Sequence, residues 1–121
     1  MLLREFSKET MRVCIYDSRR AMGLGAAEEA VAYVKDLLSH KDEVNIIFAA
    51  APSQNEFLEA VASSDIDWSR VNAFHMDEYI GLSADAPQAF GNFLKDRIFS
   101  KLPFKSVNYI YAENEDYKET C

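Results

Sequence analysis

The sequence predicts an α/β fold built around an open, mainly parallel sheet. Short apolar segments alternate along the chain with longer segments whose apolar residues recur every three or four positions. The stretches between successive apolar segments are long enough for right-handed crossovers between parallel strands. A length of 121 residues suits one domain with a modest core, and we expect residues 1–121 to form a single domain.

Four apolar segments are the predicted strands. The first of them is short and β-branched, and the second is a continuous apolar run, as expected for a strand covered on both faces. In chain order, these strands are expected at residues 11–16, 44–50, 71–76 and 107–112.

Three amphipathic segments between the strands are the predicted helices. Asp17 or Ser18 can cap the first helix, whose apolar residues share one face. Those residues are Leu24, Ala27, Val31, Val34 and Leu38. The second helix is expected to run from Ser53 through residue 61, and the third to cover about residues 88–101 and to end before Pro103. Residues 81–87 read as a loop, and residues 113–121 as an acidic loop that opens a further helix.

Composition and charge narrow the possible partners. The net charge of −7 argues against nucleic acid, because phosphate binding needs a basic face. No apolar run has the length of a membrane span, and the first residues lack a signal-peptide pattern, so we expect a cytoplasmic protein. Cys14 and Cys121 form neither a disulfide framework nor a metal-ligand spacing.

Two adjacent carboxylates stand where the third predicted strand ends. Asp77 and Glu78 follow the apolar stretch 71–76, and parallel α/β sheets bind ligands outside the carboxyl ends of their strands. A carboxylate there can act as a general base on a proton next to a sugar carbonyl. The alternative is an ordinary solvated loop, in which Tyr79 belongs to the rim of the core rather than covering a site. His75 is more typical of a hydrogen-bonded structural residue than of an acid or a ligand.

A second candidate site follows the second predicted strand. The run Ala49-Ala50-Ala51-Pro52-Ser53 leads into a helix N-terminus, where backbone N–H groups and the helix dipole can hold an anion. The alternative is that Ser53 only caps the helix, at a capping-box spacing from Glu56. If the second and third strands are neighbours, this segment and Asp77 share one edge of the sheet.

A longer motif carries a resemblance to a known family. Residues 72–82 read Asn-Ala-Phe-His-Met-Asp-Glu-Tyr-Ile-Gly-Leu, and residues 86–90 read Ala-Pro-Gln-Ala-Phe. The Met-Asp-Glu-Tyr-x-Gly-Leu run followed by a Pro-Gln helix start resembles the signature of the glucosamine-6-phosphate deaminase family, whose relatives include the 6-phosphogluconolactonases. The flanking elements agree in order and length, so the resemblance covers nearly the whole chain from residue 11 onward.

The resemblance implies a Rossmann-like, three-layer α/β/α fold and a cytosolic enzyme without metal or organic cofactor. Such enzymes convert glucosamine 6-phosphate into fructose 6-phosphate and ammonia by isomerisation and deamination. Asp77 corresponds to the base that moves the C2 proton, and Glu78 is the second catalytic candidate. The segment after the second strand corresponds to the sugar-phosphate loop. The candidate substrate-binding residues are Ala51, Ser53, Gln54 and Tyr79.

The phosphate loop departs from the family pattern. Family members usually carry a Thr-Gly-Gly-Thr/Ser run, whereas residues 50–53 read Ala-Ala-Pro-Ser. Pro52 has no N–H to donate, and alanines do not adopt glycine-only conformations. This departure leaves the exact sugar open and suggests an alternative function, a non-catalytic sugar-phosphate binding or regulatory module.

The family's domain is also about twice as long as this chain. Its Gly-x-Gly-x-x-Gly-His segment, which brings the ring-opening histidine, is not found up to Cys121. We therefore expect the chain to resemble the N-terminal half of such an enzyme, to lack turnover on its own, and to associate with another copy. A phospho-receiver domain with Asp77 as acceptor is a further alternative, but it needs an acidic pair where Asp17 stands alone.

Overall fold

The computed structural model describes residues 1–110 and 117–121. The chain begins with two antiparallel strands, and from the first helix onward helices and strands alternate. In chain order the elements are β1 (Leu2–Lys8), β2 (Met11–Tyr16), α1 (Arg19–Leu38), β3 (Val44–Phe48), α2 (Asn55–Ala62), β4 (Val71–His75), α3 (Phe90–Leu94), β5 (Ser106–Asn108) and α4 (Tyr117–Thr120). Short 3-10 turns at Pro52–Gln54 and Trp68–Arg70 precede α2 and β4, and a π-helical turn at Lys95–Phe99 continues α3. No helix among the described residues is both long and apolar enough to cross a membrane.

The central sheet is parallel and has the strand order β3-β4-β5. Val44 of β3 lies opposite Val71 of β4, and Val107 of β5 lies opposite Ala73 of β4. The predicted α/β fold with a parallel sheet is therefore confirmed. The fourth predicted strand is described only up to residue 110, since residues 111–116 lie outside the described residues.

The first predicted strand belongs to a different sheet. Residues 11–16 do form a strand, but β2 pairs antiparallel with β1 in a separate two-stranded sheet. The turn between them contains Glu9, whose φ of 54° lies in the left-handed region that favours glycine. Because this turn has no glycine or asparagine, nothing local indicates a hairpin. The prediction that residues 11–16 join the parallel sheet is wrong.

Helix α1 packs along α2. Ser18 caps α1 as predicted, because its hydroxyl accepts a hydrogen bond from the backbone N–H of Ala21 at 3.1 Å. Gly23 lets the helices approach, since a Cβ at this position would lie 2.7 Å from the Cβ of Glu56. Each helix leads into the amino end of a parallel strand, so the N-termini of both helices lie toward the carboxyl edge of the sheet.

One core lies between these helices and one face of the sheet. Val71 and Ala73 of β4 point into this core and are fully buried. His75 is nearly so, with 3% of its surface exposed. Leu58 and Val61 of α2 belong to this core, as do Leu94 of α3 and Ile98 of the π-helical turn. Intervening residues of the strands face the other way, and Ile47 is 65% exposed there. The alternation of buried and exposed residues thus places the carboxyl end of β4 next to the core, with a buried histidine as its last residue.

Candidate functional site

Two segments leave the same edge of the sheet from neighbouring strands. Phe48, the last residue of β3, lies opposite His75, the last residue of β4. The backbone N–H of Met76 continues the pairing by donating to the carbonyl oxygen of Phe48 at 3.0 Å. Residues 49–54 and residues 76–79 therefore start side by side, at the edge where open parallel sheets bind ligands.

Asp77 presents its carboxylate to solvent. Its side chain is exposed, and no described residue forms a hydrogen bond or ion pair with it. The carbonyl oxygen of Asp77, in contrast, lies 3.1 Å from Nδ1 of His75. The backbone of this residue is thus held in place while its carboxylate is available to a ligand.

Glu78 is engaged by the backbone of the next helix. Its Oε1 accepts hydrogen bonds from the N–H groups of Phe90 at 2.9 Å and Tyr79 at 3.0 Å, and its Oε2 accepts one from Gly91 at 2.9 Å. Phe90 and Gly91 are the first residues of α3, whose N–H groups have no partner within the helix. The Glu78 carboxylate therefore caps α3, and its predicted catalytic role remains a prediction.

His75 links the end of β4 to the residues that follow β5. Its Nε2 lies 2.6 Å from the backbone nitrogen of Ile110, whose N–H donates to it. Its Nδ1 faces the Asp77 carbonyl, which can only accept, so Nδ1 carries the proton. Burial lowers the pKa of His75 below its ordinary value, although Glu78 and Asp77 oppose this shift. The expectation that His75 is a hydrogen-bonded structural residue agrees with this geometry.

Tyr79 covers the start of α3 rather than Asp77. Its ring stacks on Phe90, with ring centroids 4.7 Å apart, and it remains 52% exposed. A cavity of about 190 Å³ lies beside Glu78, and its lining includes Asp85, Asn92 and Lys95. Neither Asp77 nor the residues of the segment 49–54 are among its lining residues. The acids of the motif thus face different surroundings.

The segment after β3 enters α2 through a 3-10 turn. Ala51 and Gln54 occupy the two capping positions, and neither forms a side-chain capping hydrogen bond. The predicted capping box of Ser53 with Glu56 is therefore absent. Ser53 is exposed, and Ala51 and Gln54 are partly buried beside it. The Ser53 hydroxyl thus lies at the carboxyl edge of the sheet without serving as the helix cap.

Two arginines hold this segment and the start of α2. The Nε atom of Arg19 donates to both carboxylate oxygens of Glu56, at 2.8 and 2.9 Å, and its Nη2 donates to the Pro52 carbonyl oxygen. These hydrogen bonds hold the pKa of the Glu56 carboxyl below its usual value. Arg97 of the π-helical turn donates to Asn55 Oδ1 at 3.1 Å. Arg19 is a residue that the sequence reasoning missed, since nothing local pairs it with a segment 33 residues away.

The chain is similar in sequence to known enzymes. No protein-family model matches it. It is 34% identical over 90 residues to the glucosamine-6-phosphate deaminase of Exiguobacterium sp., a match that covers 73% of this chain and 35% of that protein. It is 41% identical over 56 residues to the glucosamine-6-phosphate deaminase of Latilactobacillus sakei, covering 46% of this chain and 24% of that protein. The chain thus spans about a quarter to a third of these relatives.

Solved structures share the fold. A monomeric glucosamine-6-phosphate deaminase superposes with a TM-score of 0.72 at 17% identity, covering 88% of this chain and 45% of that one. A 6-phosphogluconolactonase from Thermotoga maritima superposes with a TM-score of 0.72 at 20% identity, covering 88% of this chain and 50% of that one. At such identities the likeness establishes the fold alone.

Fold and sequence lead to one assignment. The parallel sheet and the helices that alternate with its strands define a Rossmann-like α/β domain, a fold shared with both of these solved structures. The resemblance carried by the Met-Asp-Glu-Tyr motif is confirmed. The chain is related in sequence to glucosamine-6-phosphate deaminases, and in fold to them and to 6-phosphogluconolactonases, over part of their length.

Proposed function

We propose that these residues supply the proton-transfer base and the phosphate-binding segment of a sugar-phosphate isomerase and deaminase. The substrate class is an amino-sugar phosphate, and the products are a ketose phosphate and ammonia. The proposal rests on the relationship to glucosamine-6-phosphate deaminases together with the position of Asp77 at the carboxyl edge of the sheet.

One observation carries the proposal. Asp77 and Glu78 are adjacent, yet within residues 1–110 and 117–121 only the Glu78 carboxylate has hydrogen-bond partners, which lie at the N-terminus of α3. The exposed Asp77 carboxylate is free to take a proton from a bound substrate, and a general base must reach the proton that it removes. We therefore assign Asp77 as the C2 base and Glu78 as the residue that holds the adjoining helix.

The segment 51–54 is the proposed binding site for the phosphate group. It offers the Ser53 hydroxyl in the 3-10 turn before α2, and it follows β3, the neighbour of the strand that Asp77 follows. Arg19 orders this segment by donating to the Pro52 carbonyl oxygen, while its charge is paired with the Glu56 carboxylate. A fixed segment needs less ordering when a phosphate binds, so Arg19 supports this site without contacting the phosphate itself.

The same geometry supports the expectation that the 121 residues do not complete the reaction alone. Opening a sugar ring needs a further proton-transfer group, and the chain has two histidines. Both ring nitrogens of His75 are engaged by the backbone. His40 follows α1 at the amino edge of the sheet, within 3.8 Å of Asp36. His75 therefore has no ring nitrogen left for a substrate, and His40 lies at the edge of the sheet opposite to Asp77.

The test is Asp77→Asn in the full-length protein, assayed with glucosamine 6-phosphate for release of ammonia and fructose 6-phosphate. The amide is nearly isosteric but cannot accept the C2 proton, so we expect kcat to fall by roughly 10²- to 10⁴-fold with the fold retained. Asp65→Asn is the control, since Asp65 is exposed before the amino end of β4 and pairs with Lys35.

Three outcomes would count against the proposal. Near-normal turnover of Asp77→Asn would mean that another group is the base. Binding of glucosamine 6-phosphate without turnover in the unaltered protein would favour the non-catalytic binding module. Hydrolysis of 6-phosphogluconolactone in place of deamination would assign the site to the chemistry of its other structural relatives. The 121-residue chain, assayed alongside, is expected to release no ammonia.

A further inference from the structure

The ring of His75 is engaged on both sides by backbone groups from different parts of the chain. The Asp77 carbonyl oxygen accepts from Nδ1, and the Ile110 N–H donates to Nε2. Only a neutral ring with its proton on Nδ1 satisfies both partners, because the other tautomer would set a lone pair against the carbonyl and an N–H against an N–H. The surroundings of the ring thus select one tautomer.

Packing prevents the ring from turning away. His75 is 3% exposed, and its ring centroid lies 6.0 Å from that of Tyr109. A Cβ at Gly91 would lie 3.5 Å from Cε1 of His75 and 3.1 Å from the Tyr109 ring. The first turn of α3 therefore closes over the ring from one side, and the chain after β5 closes over it from another.

We propose that His75 is a positioning residue for Asp77, fixing the backbone of the catalytic carboxylate to the chain that follows β5. The inference rests on the proposed role of Asp77 as the base. Because the His75 side chain is buried, it acts through the Asp77 carbonyl and does not contact the substrate.

The two hydrogen bonds of His75 explain how Asp77, an exposed loop residue, keeps a defined position. Asp77 is two residues beyond the end of β4, where the pairing with β3 has stopped after Met76. His75 holds the Asp77 carbonyl oxygen, and the next residue, Glu78, is attached to α3 through its carboxylate. A base misplaced by about 1 Å can lose roughly 100-fold in rate, so these anchors matter for proton transfer.

Three substitutions separate the two hydrogen bonds of His75. His75→Asn can still donate near the Nδ1 position to the Asp77 carbonyl, whereas His75→Gln can still accept near the Nε2 position from Ile110. His75→Phe keeps an aromatic ring and loses both bonds. In the full-length protein, each variant is assayed for kcat and KM, and its fold is checked by circular dichroism.

We expect His75→Phe and His75→Gln to lower kcat by roughly 10- to 100-fold, and His75→Asn to keep most of it. KM should change little, since the segment 51–54 is untouched. Folded Gln and Phe variants with normal kcat, or a rise in KM with unchanged kcat, would overturn the positioning role. So would an Asn variant that loses as much kcat as the Phe variant.

A measurement without substrate tests the two hydrogen bonds of His75 directly. In ¹⁵N–¹H NMR spectra of the unaltered protein at neutral pH, His75 should show the Nδ1–H tautomer, and the Ile110 amide should be protected from hydrogen exchange. An Nε2–H tautomer or an imidazolium would overturn the inference, whatever the enzyme assay shows. Absence of turnover together with the expected tautomer would remove the proposed function and leave the hydrogen-bonded link in place.

Discussion

The Oε2 atom of Glu78 accepts a hydrogen bond from the backbone N–H of Gly91 at 2.9 Å. Together with the bond from Phe90, this contact satisfies the first N–H groups of α3 from a residue outside the helix. A carboxylate is favoured at this place, because the helix N-terminus carries partial positive charge. The contact ties α3 to the loop that follows β4.

Glu78→Gln is expected to destabilise the protein. The amide keeps one acceptor oxygen, and its NH₂ group faces a backbone N–H that loses its partner. We expect the free energy of unfolding to fall by about 1–3 kcal/mol, as measured by urea denaturation of the full-length protein. Glu59→Gln, on the exposed side of α2, is the control and should have little effect. Unchanged stability with strongly reduced kcat would instead make Glu78 a catalytic group.

Local pattern predicted most of the fold. The strands β3 and β4 and the helices α1 and α2 follow from apolar periodicity and from Ser18 as a cap, all of which lie within a few residues. The hairpin of β1 with β2 was missed, because its turn at Glu9 has no glycine or asparagine. The partner of β2 was therefore assigned wrongly, although the strand itself was found.

The roles within the motif depend on distant partners. Asp77 and Glu78 have the same chemistry in adjacent positions, and residue type alone cannot separate a free carboxylate from a helix cap. Glu78 is recognised as the helix cap by its hydrogen bond from Gly91, 13 residues away. The acceptor role of the His75 Nε2 atom depends on Ile110, 35 residues away. Motif recognition therefore finds the candidate site, whereas the different partners of its residues are seen only in the structure.

Arg19→Ala is expected to raise KM more than it lowers kcat. Arg19 holds the Pro52 carbonyl and the Glu56 carboxylate, so its loss releases the proposed phosphate segment without touching Asp77. Steady-state assays of the full-length protein with glucosamine 6-phosphate measure both constants. Arg20→Ala is the matched control, since Arg20 lines the groove between α1 and α2, and it should leave KM unchanged. Equal effects of the two variants would show that only net charge matters.

Gly23→Ala is expected to destabilise the protein, although alanine favours a helix. The intrinsic preference is worth up to about 1 kcal/mol. A Cβ at Gly23 would lie 2.7 Å from Glu56 Cβ and 3.2 Å from the Phe57 backbone nitrogen, so α2 must shift. Overpacking typically costs about 1–3 kcal/mol, which exceeds the gain. Urea denaturation should show a net loss.

Gly25→Ala is the comparison for Gly23→Ala. A Cβ at Gly25 would meet only the outer end of the Tyr16 side chain, whereas one at Gly23 would also meet the backbone of α2. The loss of stability at Gly25 should therefore be smaller than at Gly23. A stabilised Gly23→Ala variant would show that the close packing of α1 on α2 is not required.

The last prediction concerns the loss of folding stability at acidic pH. Burial lowers the pKa of His75 in the folded protein below the ordinary value of 6.5, despite the nearby carboxylates of Asp77 and Glu78. Protonation would set a second N–H against that of Ile110, so the folded state resists it. The unfolded chain therefore binds more protons than the folded one between the folded pKa and 6.5.

The stability that His75 contributes should be fully present above pH 6.5 and should decline as the pH falls below that value, until the folded pKa is reached. One proton of difference gives a slope of up to about 1.4 kcal/mol per pH unit. Urea denaturation at a series of pH values between about 7.5 and 5 measures this decline. His40→Gln should keep the decline, since His40 is exposed, whereas His75→Gln should flatten it. Equal pH dependence in the His75→Gln variant and the unaltered protein would mean that other groups cause the acid loss.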